Sequence, residues 1–134
     1  MTAPMLSVEG LRAAYGPVQV LFDVDLEVAP GSVTTLVGAN GAGKTTIMKT
    51  LAGLVSPTAG SICFEGRDIT RSPSHELVDA GLCLIPEGRL VFPGMTVEQN
   101  LRLGAIARNA RAGHSDMLAE VLHRFPRLKE RRNQ

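Results

Sequence analysis

Residues 37–46, VGANGAGKTT, set Gly38, Gly43, Lys44 and Thr45 at the spacing G-x-x-x-x-G-K-[ST], the pattern of a loop that wraps phosphate. Gly38, Gly41 and Gly43 carry no Cβ, so the backbone can take positive φ there and turn its N–H groups inward around an anion. A helix opening near Lys44 adds the positive end of its dipole to that nest. Lys44 brings a point charge able to reach the β and γ phosphates, and the Thr45 hydroxyl is suited to a hydrated Mg²⁺ bridging the same oxygens. The candidate nucleotide-contact residues are therefore Gly38, Ala39, Asn40, Gly41, Ala42, Gly43, Lys44, Thr45 and Thr46, with Lys44 also a candidate catalytic group and Thr45 a candidate metal ligand. The plain alternative, a glycine-rich turn beside an exposed lysine, leaves the flanking strand and helix patterns unexplained.

Those flanks are what must position the loop. Before it, SVTTLV (residues 32–37) reads as a short β-branched, buried strand entering the loop directly. After it, KTTIMKTLAGL carries Ile47, Met48, Leu51 and Leu54 at helical spacing, with Gly53 placed to close the helix in a left-handed conformation. Upstream, VLFDVDLEV alternates Val20, Phe22, Val24, Leu26 and Val28 with Leu21, Asp23, Asp25 and Glu27, predicting a strand with one apolar and one mostly acidic face. Pro30 and Gly31 predict the turn between that strand and SVTTLV.

Downstream, GSICFEGRDI reads as a hairpin or edge pair, and SPSHELVDAG as a short helix capped by Ser72, with Pro73 in its first turn and Gly81 as its stop. LCLIP predicts a second buried strand ended by Pro86. Thr96 and Gln99 stand at capping-box spacing before another helix. In SDMLAEVLHRF, Met117, Leu118, Val121, Leu122 and Phe125 share one stripe, after which Pro126 interrupts and RLKERRNQ trails off basic and polar. The predicted class is α/β, a P-loop core behind an N-terminal antiparallel β flank.

Bulk properties narrow the alternatives. The chain has 134 residues, 44% hydrophobic and 20% charged, with a net charge of +1, values of a folded globular domain with no global field for nucleic acid or an anionic membrane surface. Cys63 and Cys83 lie in apolar runs without metal or redox spacing and read as buried thiols in a reducing compartment. No apolar run reaches the ~18 to 20 residues that cross a bilayer, so any service to a membrane runs through a partner protein. His75, His114 and His123 lack metal spacing and read as surface histidines; the basic tail at residues 124–132 reads as a solvated helical face rather than an RNA contact. No N-K-x-D guanine reader is present.

Taken together, YGPVQVLFDVDLEVAPGSVTTLVGANGAGKTT, LAGLVSPTAGSICFEGRDIT and IPEGRLVFPGMTVEQNL resemble the ATP-binding subunit of an ABC transporter. Within that superfamily, IPEGR followed by TVEQNL and FPRLKERRNQ is most similar to an ATP-binding subunit of bacterial branched-chain amino acid importers. The resemblance covers essentially the whole chain. It implies an antiparallel flank over residues 1–30, a P-loop core part over 31–95 and the start of a helical subdomain over 96–134.

It further implies ATP and Mg²⁺ as ligands, and Tyr15, the only tyrosine, as a platform for adenine; from residue type alone, a strand-edge tyrosine with its hydroxyl in water is an equal reading. Glu87 falls where the family carries a glutamine that touches Mg²⁺, making it a candidate metal and catalytic residue; LCLIPE could instead be an apolar strand plus catalytic acid, although Pro86 intervenes. The implied partners are membrane subunits and a second ATP-binding subunit, with the protein peripheral on the cytoplasmic face of the inner membrane. The family's serine-glycine signature, its Walker B acids and its switch histidine do not occur in these 134 residues. The expectation is a chain truncated before the signature motif, able to bind nucleotide but doubtful in turnover by itself, or else a non-catalytic nucleotide-binding module.

Overall fold

A computed structural model describes residues 3–107 and 111–134. The chain divides into two compact units, Met1–Leu84 and Ile85–Gln134.

The first unit is built on a four-stranded antiparallel sheet in the order β2-β1-β3-β4, formed by β1 Leu6–Tyr15, β2 Val18–Val28, β3 Pro57–Phe64 and β4 Arg67–Asp68. Gly16, at φ 56°, turns β1 into β2, and Glu65 and Gly66, at φ 49° and 76°, make the two-residue turn between β3 and β4. Positive φ at both central residues matches the right-handed twist of the flanking strands. The predicted antiparallel flank and hairpin are both present, and they belong to one sheet.

Its core face is a ladder of matched apolar pairs. Leu6 pairs with Val28 and Phe64, Val8 with Leu26 and Ile62, Leu11 with Val24, and Ala13 with Leu21. Leu11, Val8, Ile62 and Leu21 are fully buried. Each large side chain of this kind contributes about 1.5–3 kcal/mol by leaving water. Helix α1, Lys44–Leu51, adds Ile47 and Leu51 to the same cluster, and Ile69 and Leu77 complete it.

The simple alternation expected for β2 fails at one point. Leu21, assigned to the acidic face, is 2% exposed, whereas Phe22, assigned to the apolar face, is 66% exposed. Between the Leu11–Val24 and Ala13–Leu21 pairs, β2 advances three residues while β1 advances two, so β2 bulges at Phe22 and Asp23. Asp23 sits at φ 46°, and the Arg12 guanidinium grips its carboxylate through two hydrogen bonds of 2.7 Å. Those hydrogen bonds hold the Asp23 carboxyl below the usual carboxylate range. The extra residue turns Leu21 to the core face and leaves Phe22 outside.

Two predicted strands do not form. SVTTLV is extended but unpaired, with Val33 96% exposed and only Leu36 half-buried; in LCLIP, Ile85 is 88% exposed. A strand is defined by its ladder, and among the described residues neither run has a hydrogen-bonded ladder partner, although Leu36 and Leu82 pack against the core. Cys83, on the second of these runs, is correspondingly exposed rather than buried, and Cys63 is half-buried on β3.

Helix ends follow local chemistry closely. Past α1, Gly53 at φ 70° donates to the Thr50 carbonyl at 3.0 Å and Leu54 to that of Lys49 at 2.9 Å, the paired bonds of a Schellman closure. Helix α2, Ser74–Asp79, ends the same way: Gly81 at φ 98° donates to Val78 and Leu82 to Leu77. Its start differs from expectation. Pro73, not Ser72, occupies the cap position, with no side chain bonded to the first turn.

The second unit carries α3 Val97–Leu103, α4 His114–Arg124 and α5 Pro126–Glu130. The predicted capping box is complete: Thr96 Oγ1 accepts from the Gln99 amide at 3.2 Å, and Gln99 Oε1 accepts from the Thr96 amide at 2.8 Å. Of the stripe assigned to α4, only Leu122 is buried, whereas Met117 and Phe125 are exposed. Pro126 does not end the helical region; at the first position of α5 its missing N–H costs nothing, and a further helical turn follows. The tail then folds back, with the Val97 amide donating to Gln134 and the Glu98 amide to Arg132.

Candidate phosphate-binding site

The phosphate loop lies within the first unit, between the extended segment and α1. Gly41 and Gly43 take φ of 84° and 92°, the conformation expected of them, while Gly38 does not. The Ala42 amide closes a turn onto the Ala39 carbonyl at 3.2 Å. Gly43 is the cap residue of α1, with no side chain satisfying the first turn. Ile47 is the first amide to find a helical carbonyl, on Gly43 at 2.9 Å. The amides of Lys44, Thr45 and Thr46 thus form an open end of positive dipole at the loop.

Lys44 arches back over the loop it follows. Its Nζ donates to the Gly38 carbonyl at 2.7 Å and to that of Ala39 at 2.8 Å. An ammonium with three donors can hold those two carbonyls and still present a hydrogen to an anion. Thr45 is exposed at the helix start, so its hydroxyl is available to a ligand. Thr46 is buried, its carbonyl accepting from the Thr50 hydroxyl at 2.8 Å, which leaves its amide as its contribution to the loop.

The loop rests on β2. A Cβ at Gly43 would stand 2.9 Å from Leu21 Cδ2 and 3.7 Å from the Val20 carbonyl oxygen, so the loop backbone lies directly against the Leu21 side chain, and φ of 92° favours glycine there. Sequence reasoning placed Leu21 on the solvent side and missed this support. The signal that could have exposed it is Gly43 itself, a position whose positive φ favours glycine and whose backbone needs a packed floor.

The other candidates are placed as follows. Tyr15 stands at the end of β1 with its neighbour Val18 across the turn, 47% exposed. Glu87 belongs to the second unit, exposed and in an irregular segment. His75 and His123 are exposed and His114 half-buried. Among the described residues no cluster of metal-ligating side chains occurs, and no helix is long and apolar enough to cross a membrane.

The donor set fits a polyphosphate: open amides, one ammonium and one hydroxyl meet at the loop, with no carboxylate among them. Comparison with known proteins agrees. A family model described as ABC transporter matches residues 21–134. The chain is 42% identical over 130 residues to the high-affinity branched-chain amino acid transport ATP-binding protein BraG of Pseudomonas aeruginosa, covering 97% of this chain and 55% of that protein. It is 34% identical to the probable branched-chain amino acid transport ATP-binding protein LivF of Archaeoglobus fulgidus, covering 93% and 52%.

The ribose import ATP-binding protein RbsA 2 of Streptomyces avermitilis is 38% identical over 81% of this chain and 21% of its own length. Among solved structures, an ATP-binding subunit of an ABC transporter superposes with a TM-score of 0.82 at 33% identity, covering 97% of this chain and 53% of that one. A nucleotide-free ATP-binding cassette gives 0.80 at 25%, covering 98% and 57%. The chain thus spans about half the length of the branched-chain amino acid relatives it matches. With the family match running from Leu21 in β2 through the loop of residues 38–46 to the helices beyond, this chain belongs to the ABC transporter family and has the fold of its ATP-binding cassettes.

Proposed function

We propose that this chain supplies the ATP-binding portion of an ABC importer subunit, one that energises branched-chain amino acid uptake. The observation that carries the reading is the loop itself: uncapped first-turn amides of α1, glycines at positive φ and Lys44 held over them by two carbonyls. In this role the loop backbone from Gly38 to Thr46 holds the phosphates, Lys44 neutralises the terminal ones, and Tyr15 stacks on adenine. The Thr45 hydroxyl would hold Mg²⁺, which when bound supplies charge neutralisation at the phosphate oxygens; Glu87 is a candidate metal ligand by family resemblance alone. The partners of such a subunit are membrane subunits and a second ATP-binding subunit, which place it on the cytoplasmic face of the inner membrane.

The likeness to BraG supports amino acids as the transported class, and the likeness to the ribose import protein supports a sugar importer as the second reading. Calorimetric titration of the chain with ATP and Mg²⁺, run beside a phosphate-release assay, tests the core of the proposal. Lys44→Ala is expected to weaken ATP binding at least about tenfold, since a hydrogen bond from a charged group is worth ~1.5–3 kcal/mol. Unchanged affinity removes Lys44 from the phosphates. Binding without phosphate release makes the chain a nucleotide-binding module and not an ATPase by itself.

A further inference from the structure

We propose that Leu21 is a positioning residue of the phosphate loop: β2 turns its side chain under Gly43 by a bulge on either side, and Gly43 rests on it. The inference deepens the nucleotide-binding reading and rests on it for its functional consequence.

Two register irregularities flank this one residue. Between the Ala14–Gln19 and Ala13–Leu21 pairs β1 moves one residue while β2 moves two, leaving Val20 as the extra. Between Ala13–Leu21 and Leu11–Val24 β2 again gains one, at Phe22 and Asp23. A regular strand would send Leu21 to the face opposite Val24, and the intervening bulge brings both to the core face. The second bulge includes a non-glycine residue at positive φ, an uncommon conformation, fastened by the two Arg12–Asp23 hydrogen bonds.

The consequence appears at the loop. Leu21 is 2% exposed, Gly43 is buried at φ 92°, and a Cβ at Gly43 would stand 2.9 Å from Leu21 Cδ2, so the Gly43 backbone lies directly against the Leu21 side chain. Gly43 is also the cap of α1, so its placement fixes where the amides of Lys44, Thr45 and Thr46 open and where Lys44 begins its arch to Gly38 and Ala39. A close-packed floor resists displacement because even one missing methylene is felt by its neighbours. Leu21 touches no phosphate and acts through Gly43.

The test compares Leu21→Ala with Ile62→Ala in the full chain; Ile62 is equally buried, on the same core face, and pairs with Val8. Three quantities are read: thermal midpoint, affinity for ATP with Mg²⁺, and the nucleotide-free NMR shifts of the Gly43 and Lys44 amides. Both substitutions are expected to lower the midpoint. Only Leu21→Ala should weaken affinity, by about tenfold, and move the two amides, and Leu21→Met should restore both. Equal affinity losses in the two variants, or unmoved amides in Leu21→Ala, would overturn the inference. Where an alanine variant fails to fold, Leu21→Val against Ile62→Val carries the same comparison. A wild-type chain that binds no ATP refutes the functional reading, and the nucleotide-free amide shifts still decide the role of Leu21.

Discussion

Gly53 and Gly81 close two helices with the same pair of backbone bonds, at similar φ of 70° and 98°, yet their surroundings differ. A Cβ at Gly81 meets nothing within 4 Å; one at Gly53 would meet the Ser72 carbonyl oxygen at 2.9 Å, the Ser74 nitrogen at 3.0 Å and Leu77 Cδ1 at 3.1 Å. Alanine at either site bears the left-handed backbone cost, about 1–2 kcal/mol. At Gly53 it also forces the end of α1 away from the backbone that opens α2, and overpacking of this kind costs a further ~1–3 kcal/mol. Gly53→Ala should therefore destabilise the first unit by about 1–3 kcal/mol more than Gly81→Ala. Both residues lie in that unit, so urea unfolding followed by far-UV circular dichroism reads them on one transition. With a slope of ~1–3 kcal/mol per molar, the two midpoints should separate by roughly 1 M at unchanged slope. Coincident midpoints would show that the α1 terminus is not seated against Ser72 and Ser74, and would refute the packing that anchors the helix carrying the phosphate loop.

Two further outcomes concern the second unit. Thr96→Ala removes the hydroxyl that accepts from the Gln99 amide and should cost about 1 kcal/mol in chemical denaturation, with Thr96→Ser recovering most of it; an unchanged midpoint would mean the capping box is not formed. Glu98 is held below the usual carboxylate range by hydrogen bonds from Arg102 and then Arg132. A depressed folded-state pKa gives stability that is present above the unfolded value and lost as pH falls through the folded one. Acid unfolding of the wild type should therefore lose this contribution from about pH 4.5, the ordinary glutamate value, downward, while Glu98→Gln should lack that component; parallel acid profiles would refute the pairing.

What could be read from the residues in order was short-range. The capping box at Thr96 and Gln99 and the glycine closures at Gly53 and Gly81 each depend on chemistry contained within about six residues, and each formed where its spacing placed it. What escaped depends on a second segment. The facing of Leu21 and Phe22 is decided by how β2 registers on β1 and by an Arg12–Asp23 pair eleven residues apart, and the return of the tail to α3 by a Glu98–Arg132 pair thirty-four residues apart. Apolar content alone cannot make a strand of SVTTLV or LCLIP, since hydrogen bonds to a neighbour define one, and among the described residues neither run has a ladder partner. The same division runs through the candidate site: the proposed phosphate contacts are contiguous in the chain, whereas Leu21, which lies against Gly43, stands twenty-two residues before it, so a motif names candidate contacts and leaves what packs beneath them to the register of the sheet.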